Sequence, residues 1–111
     1  MIQPGATFKE NLQQLPPIEG VQRVDLLDAN GGVVASIENQ PGKQGSVAVY
    51  QYLKQAFGSL DENAAKHGLA VFAEHTADAQ SRPGAHPNVD RLLEIAAGGG
   101  PLQIEVIAAN R

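Results

Sequence analysis

The chain has 111 residues, of which 42% are hydrophobic and 5% aromatic, so it can bury one mainly aliphatic core and is too short for two. Its formal net charge of −4, without a local cluster of Lys and Arg, excludes the usual electrostatic basis for binding nucleic acid. The lack of cysteine excludes disulfides, thiolate metal sites, iron–sulfur clusters and cysteine nucleophiles.

The N-terminus has no basic region followed by an apolar run, and no apolar stretch reaches the roughly 18 residues that a membrane helix needs. We therefore expect a cytoplasmic protein that does not bind membranes. Residues 1–6 contain Pro4 and Gly5 and little to bury, which predicts a flexible N-terminal tail. Residues 7–111 are predicted to form a single α+β domain.

The first predicted elements are a short helix and a hairpin. Thr7 and Glu10 have the spacing of a capping box, and the prolines from Pro16 onward end the helix that they begin. Two apolar runs follow, Val21 to Leu27 and Val33 to Ile37. The Asn-Gly-Gly sequence between them supplies the positive φ angles of a tight turn, so the two runs are predicted to form a hairpin.

Two helices are predicted next. Ser46 is placed to cap a helix that runs to about Phe57. Ser59 is placed to cap a shorter helix over Asp61 to His67, and Gly68 is placed to end it in the left-handed conformation.

The segment from Leu69 to His75 alternates between two faces and is interpreted as a strand, although its alanines leave a helix as the alternative. Thr76 to Ser81 predicts one helical turn. Asn88 is a candidate cap for an amphipathic helix that ends before Gly98, and Leu102 to Ala108 alternates as a final strand.

The predicted order is therefore α-ββ-αα-β-α-β. Helices that alternate with a hairpin and two further strands indicate an α+β fold with a four-stranded mixed or antiparallel sheet. The helices are expected to cover one face of that sheet.

The segment from Glu74 to Arg91 carries the densest cluster of chemistry, with two histidines, three carboxylates and two arginines. Its ligand-binding candidates are Glu74, His75, His86 and Arg91. The strand end and the helix start that carry these residues often converge in folded domains.

Three functional interpretations remain open for this segment. His75 and His86 with Asp78 or Asp90 would be a metal site, because imidazole and carboxylate are the only good ligands in this composition. The helix start at Asn88, with Arg91 and protonated His86, would instead bind a carboxylate or phosphate. Alternatively, His75 would act as a general base that Asp78 or Glu74 orients.

The structural alternative is that these residues order a loop. Thr76, Asp78, Asn88 and Asp90 would then cap short helices, the histidines would bond to backbone, and Arg91 would pair with a carboxylate. A second glycine-containing segment, Pro41 to Ser46, also precedes a helix. It departs from the Walker A order and is interpreted as a connecting loop.

Four stretches together resemble a family of small bacterial proteins that is described as a domain of unknown function. They are the Asn-Gly-Gly hairpin, the Asn39–Ser46 loop, Phe72–Ala79 and Pro83–Leu92. The resemblance covers nearly the whole chain and implies a bacterial cytosolic protein, but it carries no activity, cofactor or catalytic residue.

The leading functional hypothesis is a small binding or assembly module without catalytic activity. It would associate with itself or with a protein partner, and no cofactor is expected. The alternative is a metal- or anion-binding domain, or a small enzyme, whose site is at His75 and His86.

Overall fold

The structure is a computed structural model, and it describes residues 1–109. Over this range the chain forms an α+β fold of five helices and three strands. The elements in chain order are α1 (Phe8–Leu12), β1 (Val21–Leu27), β2 (Val33–Glu38), α2 (Gln44–Phe57), α3 (Glu62–Phe72), α4 (Glu74–Ser81), α5 (Pro87–Ala96) and β3 (Gln103–Ala108). No helix in this part of the chain is both long and apolar enough to cross a membrane.

The sheet is antiparallel, with β1 between β2 and β3. Successive side chains of a strand point to opposite faces, so Val24 and Leu26 share one face and Asp25 lies on the other. Both apolar side chains are fully buried, and α2 lies against all three strands. On the opposite face, Asp25 accepts hydrogen bonds from Arg23 (2.9 Å) and Ser36 (2.7 Å).

The β1–β2 connection is not the tight Asn-Gly turn predicted from the sequence. Its five residues are organised by Asp28, whose carboxylate accepts hydrogen bonds from the N–H groups of Asn30 and Gly32, both at 2.9 Å. Gly31 has a φ of +83°, but Asn30 does not share the positive φ that a tight turn of this type requires. Hydrogen bonds to the side chain of Asp28 therefore hold this connection together, in place of the two positive φ angles that were predicted for a tight turn.

The predicted fourth strand, Leu69 to His75, is wrong. Leu69 to Phe72 continue α3, and Gly68 lies inside that helix instead of ending it. A Cβ on Gly68 would lie 2.8 Å from Leu92 and 2.9 Å from Leu53, so the missing side chain allows α3 to approach both α5 and α2. Burial of Val71 and Phe72 in the core stabilises the helical alternative.

A single residue, Ala73, separates α3 from α4. Ala73 has φ +51° and ψ −117°, and it is the one non-glycine residue with a positive φ in the described part of the chain. Such a conformation costs on the order of 1–3 kcal/mol and persists only where surrounding contacts enforce it. Directly after this residue, Glu74 begins an eight-residue helix where a single turn was expected from Thr76.

Three of the four predicted helix caps are wrong. Asp61, not Ser59, caps α3 by accepting from the N–H of Ala64 at 2.8 Å. The helix α2 begins at Gln44, ahead of Ser46, and α5 begins at Pro87, ahead of Asn88. Proline is well suited to the first helical position, because the N–H that it lacks would have no acceptor within the helix.

The cap at Thr7 is confirmed, because its hydroxyl accepts from the N–H of Glu10 at 3.3 Å. The helix that follows ends at Leu12, before the predicted proline stop. Residues of the predicted tail make contacts: the N–H of Ile2 donates to Tyr52 (3.1 Å), and that of Gly5 donates to Asn11 (2.7 Å). The division into a tail at 1–6 and a domain at 7–111 stays a prediction, and residues 110 and 111 lie outside the described residues.

Candidate functional site

A cavity of about 750 Å³ lies where α1, α4 and the first turns of α2 and α5 meet. The lining from the α2 side comprises residues 42–46, and that from the α5 side comprises residues 85–89 and 91. The remaining lining residues are Phe8, Leu12, Ser36, Ile37, Phe72 and His75. Pockets of this size are typical of sites for small molecules.

The ionisable side chains of this lining are all basic. They are Lys43, His75, His86 and Arg91, and the lining contains no carboxylate. Within residues 1–109, neither Lys43 nor Arg91 forms an ion pair with a carboxylate. The cavity is therefore locally positive in a chain whose net charge is −4.

Arg91 is held against the cavity wall by neutral groups. One guanidinium nitrogen, Nη1, donates to Asn88 Oδ1 (2.9 Å) and to the Tyr50 hydroxyl (3.1 Å). Tyr50 in turn donates to the backbone carbonyl of Asn88 at 2.6 Å, and burial raises the pKa of Tyr50 to about 12, so this phenol stays neutral. The predicted pairing of Arg91 with a carboxylate is wrong, and its charge is not neutralised by these contacts.

His86 is oriented by an acidic residue that lies behind it. Its Nε2 lies 2.6 Å from Asp78 Oδ2, and Arg82 also bonds to the same carboxylate through Nε at 2.9 Å. These bonds, first from Arg82 and then from His86, hold the pKa of Asp78 well below its ordinary value. The His86 ring therefore keeps a fixed orientation at the cavity.

His75 stands between His86 and an aromatic pair. Its ring centroid lies 5.4 Å from that of His86 and 5.0 Å from that of Phe8, which meets it edge-on. Phe8 also stacks on Phe72, with 5.2 Å between centroids. His75 is the second residue of α4, which begins directly after Ala73.

Glu74, the fourth ligand-binding candidate, is not part of the lining. Its Oε1 accepts from the N–H of Phe8 at 2.8 Å, and the pKa of Glu74 is lowered by backbone N–H groups, first its own and then that of Phe8. Glu74 therefore ties the start of α1 to the start of α4. The structure brings His75, His86 and Arg91 to one cavity and leaves Glu74 at its edge.

The four candidate metal ligands do not all lie together. His75, His86 and Asp78 are neighbours, but Asp90 accepts from the N–H of Gly84 at 2.9 Å. In the part of the chain that the structure describes, no three His, Asp or Glu side chains are grouped so that they could hold a metal ion. A metal at this position stays a prediction.

The expectation that capping explains the polar residues of this segment is also wrong. Thr76 donates its hydroxyl proton to the carbonyl of Leu69 at 2.7 Å, inside the turn between α3 and α4. Asp78, Asn88 and Asp90 bond to His86, Arg91 and Gly84 respectively, and none of these four residues is the N-cap of a described helix. Of these bonds, those of Asp78 and Asn88 hold His86 and Arg91, which line the cavity.

A protein-family model matches residues 8–106, which is most of the chain. The chain belongs to DUF2322, a family of uncharacterised proteins conserved in bacteria. The resemblance noted from the sequence is thereby confirmed. No match was found among curated proteins or among solved structures.

The sequence did not predict the part of this DUF2322 protein's site that lies outside residues 74–91. Lys43, Gln44 and Gly45 line the cavity, although their segment was interpreted as a plain loop. The available signal was the glycine-containing run before a helix, which is typical of loops that approach ligands closely. Nothing in the sequence indicates that the ring of Phe8 lies beside His75.

Proposed function

We propose that this DUF2322 protein is a small, non-enzymatic, cytoplasmic binding module that holds a small anion in the cavity between α2 and α5. The observation that carries the proposal is the lining itself, in which Lys43, His75, His86 and Arg91 are present without any carboxylate. In a chain of net charge −4, a patch of surface without a binding role would be expected to carry charged side chains of both signs, or mainly acidic ones.

Both helix starts support binding of an anion. The first N–H groups of a helix have no intrahelical acceptor, and they carry the positive end of the helix dipole. Neither α2 nor α5 has a side-chain cap at this end, and both begin at the cavity. At α5, Pro87 has no N–H, and those of Val89 and Asp90 donate to the carbonyl of His86 (3.0 and 2.9 Å), so this helix start would offer chiefly the N–H of Asn88. A carboxylate or phosphate group would accept from this donor and from the first N–H groups of α2.

Arg91 would supply the main charged contact. Its Nη1 is used by Asn88 and Tyr50, so the other guanidinium donors can face a ligand while the side chain stays fixed. Lys43 is exposed at the mouth of the cavity and would add a second fixed charge. Both positive charges would attract an anion, whereas they would repel a metal cation.

The proposal is tested by measuring melting temperature and binding heat with inorganic phosphate, acetate and hexanoate, and with hexylamine as a cationic control. A ligand that binds the folded state raises its melting temperature. We expect the anions, and not hexylamine, to do so. Removal of the guanidinium in Arg91→Gln should weaken binding by roughly tenfold to a hundredfold, as loss of a charge-assisted hydrogen bond does.

Lys43→Gln should weaken binding less, because Lys43 is more exposed. Its matched control is Lys66→Gln, which changes the net charge equally at an exposed site on α3 that only pairs with Glu62 at 3.7 Å. If Lys66→Gln weakens binding as much as Lys43→Gln, the attraction is nonspecific and the cavity is not the site. Absence of binding by every anion would also contradict the proposal.

A further inference from the structure

The cavity has an apolar floor as well as basic groups. Ile37, Phe72 and Val89 are only 2%, 3% and 2% exposed, yet all three line it. Partly buried Phe8 and Leu12 continue this apolar surface toward solvent. A side chain that is almost fully buried and still borders a cavity lies at its deep end.

The basic groups lie nearer to solvent. Lys43 is exposed, and His75, His86 and Arg91 are intermediate in exposure. The gradient therefore runs from hydrocarbon at depth to positive charge at the rim. An inorganic anion would use the rim alone and would leave Phe8 and Leu12, the more exposed part of the apolar lining, in contact with water, which is unfavourable.

Size leads to the same conclusion. The cavity of about 750 Å³ is within the range of pockets that enclose whole small organic molecules. A single phosphate or acetate ion would fill only a small part of this space. The rest needs an occupant with an apolar body.

From this arrangement we infer that the ligand is an amphipathic carboxylate, an organic acid with an alkyl or aromatic body. The carboxylate binds at the rim near Arg91 and His86, and the body lies on the floor formed by Phe72, Val89 and Ile37. The inference rests on the proposed function and adds to it the chemical class of the anion. Phe8, already stacked on Phe72, would form one wall of the apolar part.

A chain-length series on the unmodified protein tests this inference. Dissociation constants are measured by calorimetry for acetate, butyrate and hexanoate, with inorganic phosphate and uncharged hexanol as comparisons. Burial of each added methylene should tighten binding by about fourfold, so that hexanoate binds far more tightly than acetate or phosphate. Hexanol should bind weakly, since it lacks the charge.

The variant Leu12→Ser places a hydroxyl in the partly buried apolar wall. It should weaken hexanoate binding severalfold and leave acetate binding unchanged. Leu15→Ser is the matched control, because Leu15 is also partly buried against the core but does not line the cavity. Circular dichroism checks that both variants fold, and the chain-length series does not depend on either of them.

The outcomes separate the two proposals. If acetate or phosphate binds as tightly as hexanoate, the apolar class is overturned while anion binding stands. If hexanol binds as tightly as hexanoate, the charge is irrelevant and both proposals fail. Binding of none of these probes would likewise overturn both.

Discussion

Gly68 lies where α3 packs against α2 and α5, and its lack of a side chain determines how closely these helices approach. Leu53 and Leu92, whose methyl groups lie nearest to it, are both fully buried. Extra volume at this position therefore has to move groups that have little free space around them. Residues of the same three helices line the cavity, so the distance between these helices also affects the shape of the site.

We expect Gly68→Val to destabilise the protein by about 1–3 kcal/mol, which is the usual cost of overpacking a core. Urea unfolding measures this change. The matched control is Ala70→Val on the exposed face of the same helix, which should cost only about 0.5 kcal/mol from helix propensity. Equal destabilisation by the two variants would show that the close approach of the helices is not what Gly68 provides.

The carboxyl of Asp78 gives a prediction about pH. Hydrogen bonds from Arg82 and His86 lower its pKa in the folded protein below the ordinary value of 3.8. A group whose folded pKa is lowered stabilises the native state above its unfolded pKa, and this contribution is lost as the pH falls below that value. Asp78→Asn should therefore be less stable than the wild type at neutral pH, and the difference should shrink as the pH falls below 3.8.

Urea unfolding at a series of pH values measures this difference. Glu62→Gln is the control, because Glu62 is exposed and takes part only in a long pair with Lys66, so its effect should be small throughout. A stability difference for Asp78→Asn that stays constant through the acidic range would contradict the lowered pKa of Asp78.

At the scale of elements, α1 depends on tertiary contacts. A helix of five residues is not stable by itself in water. It is attached through Asn11, which is fully buried, accepts from the N–H of Gly5 (2.7 Å) and donates to the carbonyl of Val71 (2.8 Å). Since Phe8 and Leu12 line the cavity, this attachment also shapes the site.

Asn11→Ala should cost about 1–3 kcal/mol, because it leaves buried backbone groups without partners. Hydrogen exchange should show that the amides of α1 lose protection before those of α3. Exposed Asn63→Ala is the control and should change the stability by less than about 0.5 kcal/mol. Unchanged exchange in α1 would mean that Asn11 is not its main attachment.

Local patterns predicted α2, α5 and all three observed strands, because their apolar residues recur at one clear period. They failed at Leu69–His75, where the first five residues are all apolar and so show no helical period, and where Gly68 is a residue type that often ends a helix. Packing favours the helix over the strand, because α3 continues through Val71 and Phe72 and buries both side chains in the core. Tertiary contacts often override such short-range signals.

The site was predictable only in part for the same reason. His75, His86 and Arg91 stand out in the sequence as chemistry within a short segment. Their neighbours Lys43 and Phe8 lie more than 30 residues away along the chain. Local sequence patterns give no information about contacts between residues so far apart along the chain. That the lining contains no carboxylate is evident only from the folded structure.

At the scale of the whole molecule, the positive cavity contrasts with the acidic chain. Net negative charge weakens long-range attraction of anions, so binding must rest on short-range contacts inside the cavity. The same net charge disfavours nucleic acid as a partner. Self-association, expected from the sequence, stays a prediction that light scattering would test.

The most direct test of the central claim locates the bound anion on the molecule. Amide chemical shifts are recorded while hexanoate is added to the isotope-labelled protein. The account predicts that the largest changes occur at residues 43–46, at His75 and at residues 86–91, apart from Pro87, which has no N–H. Changes centred instead on the second cavity, near Ile2, Gln14 and Tyr52, or no changes at all, would contradict it.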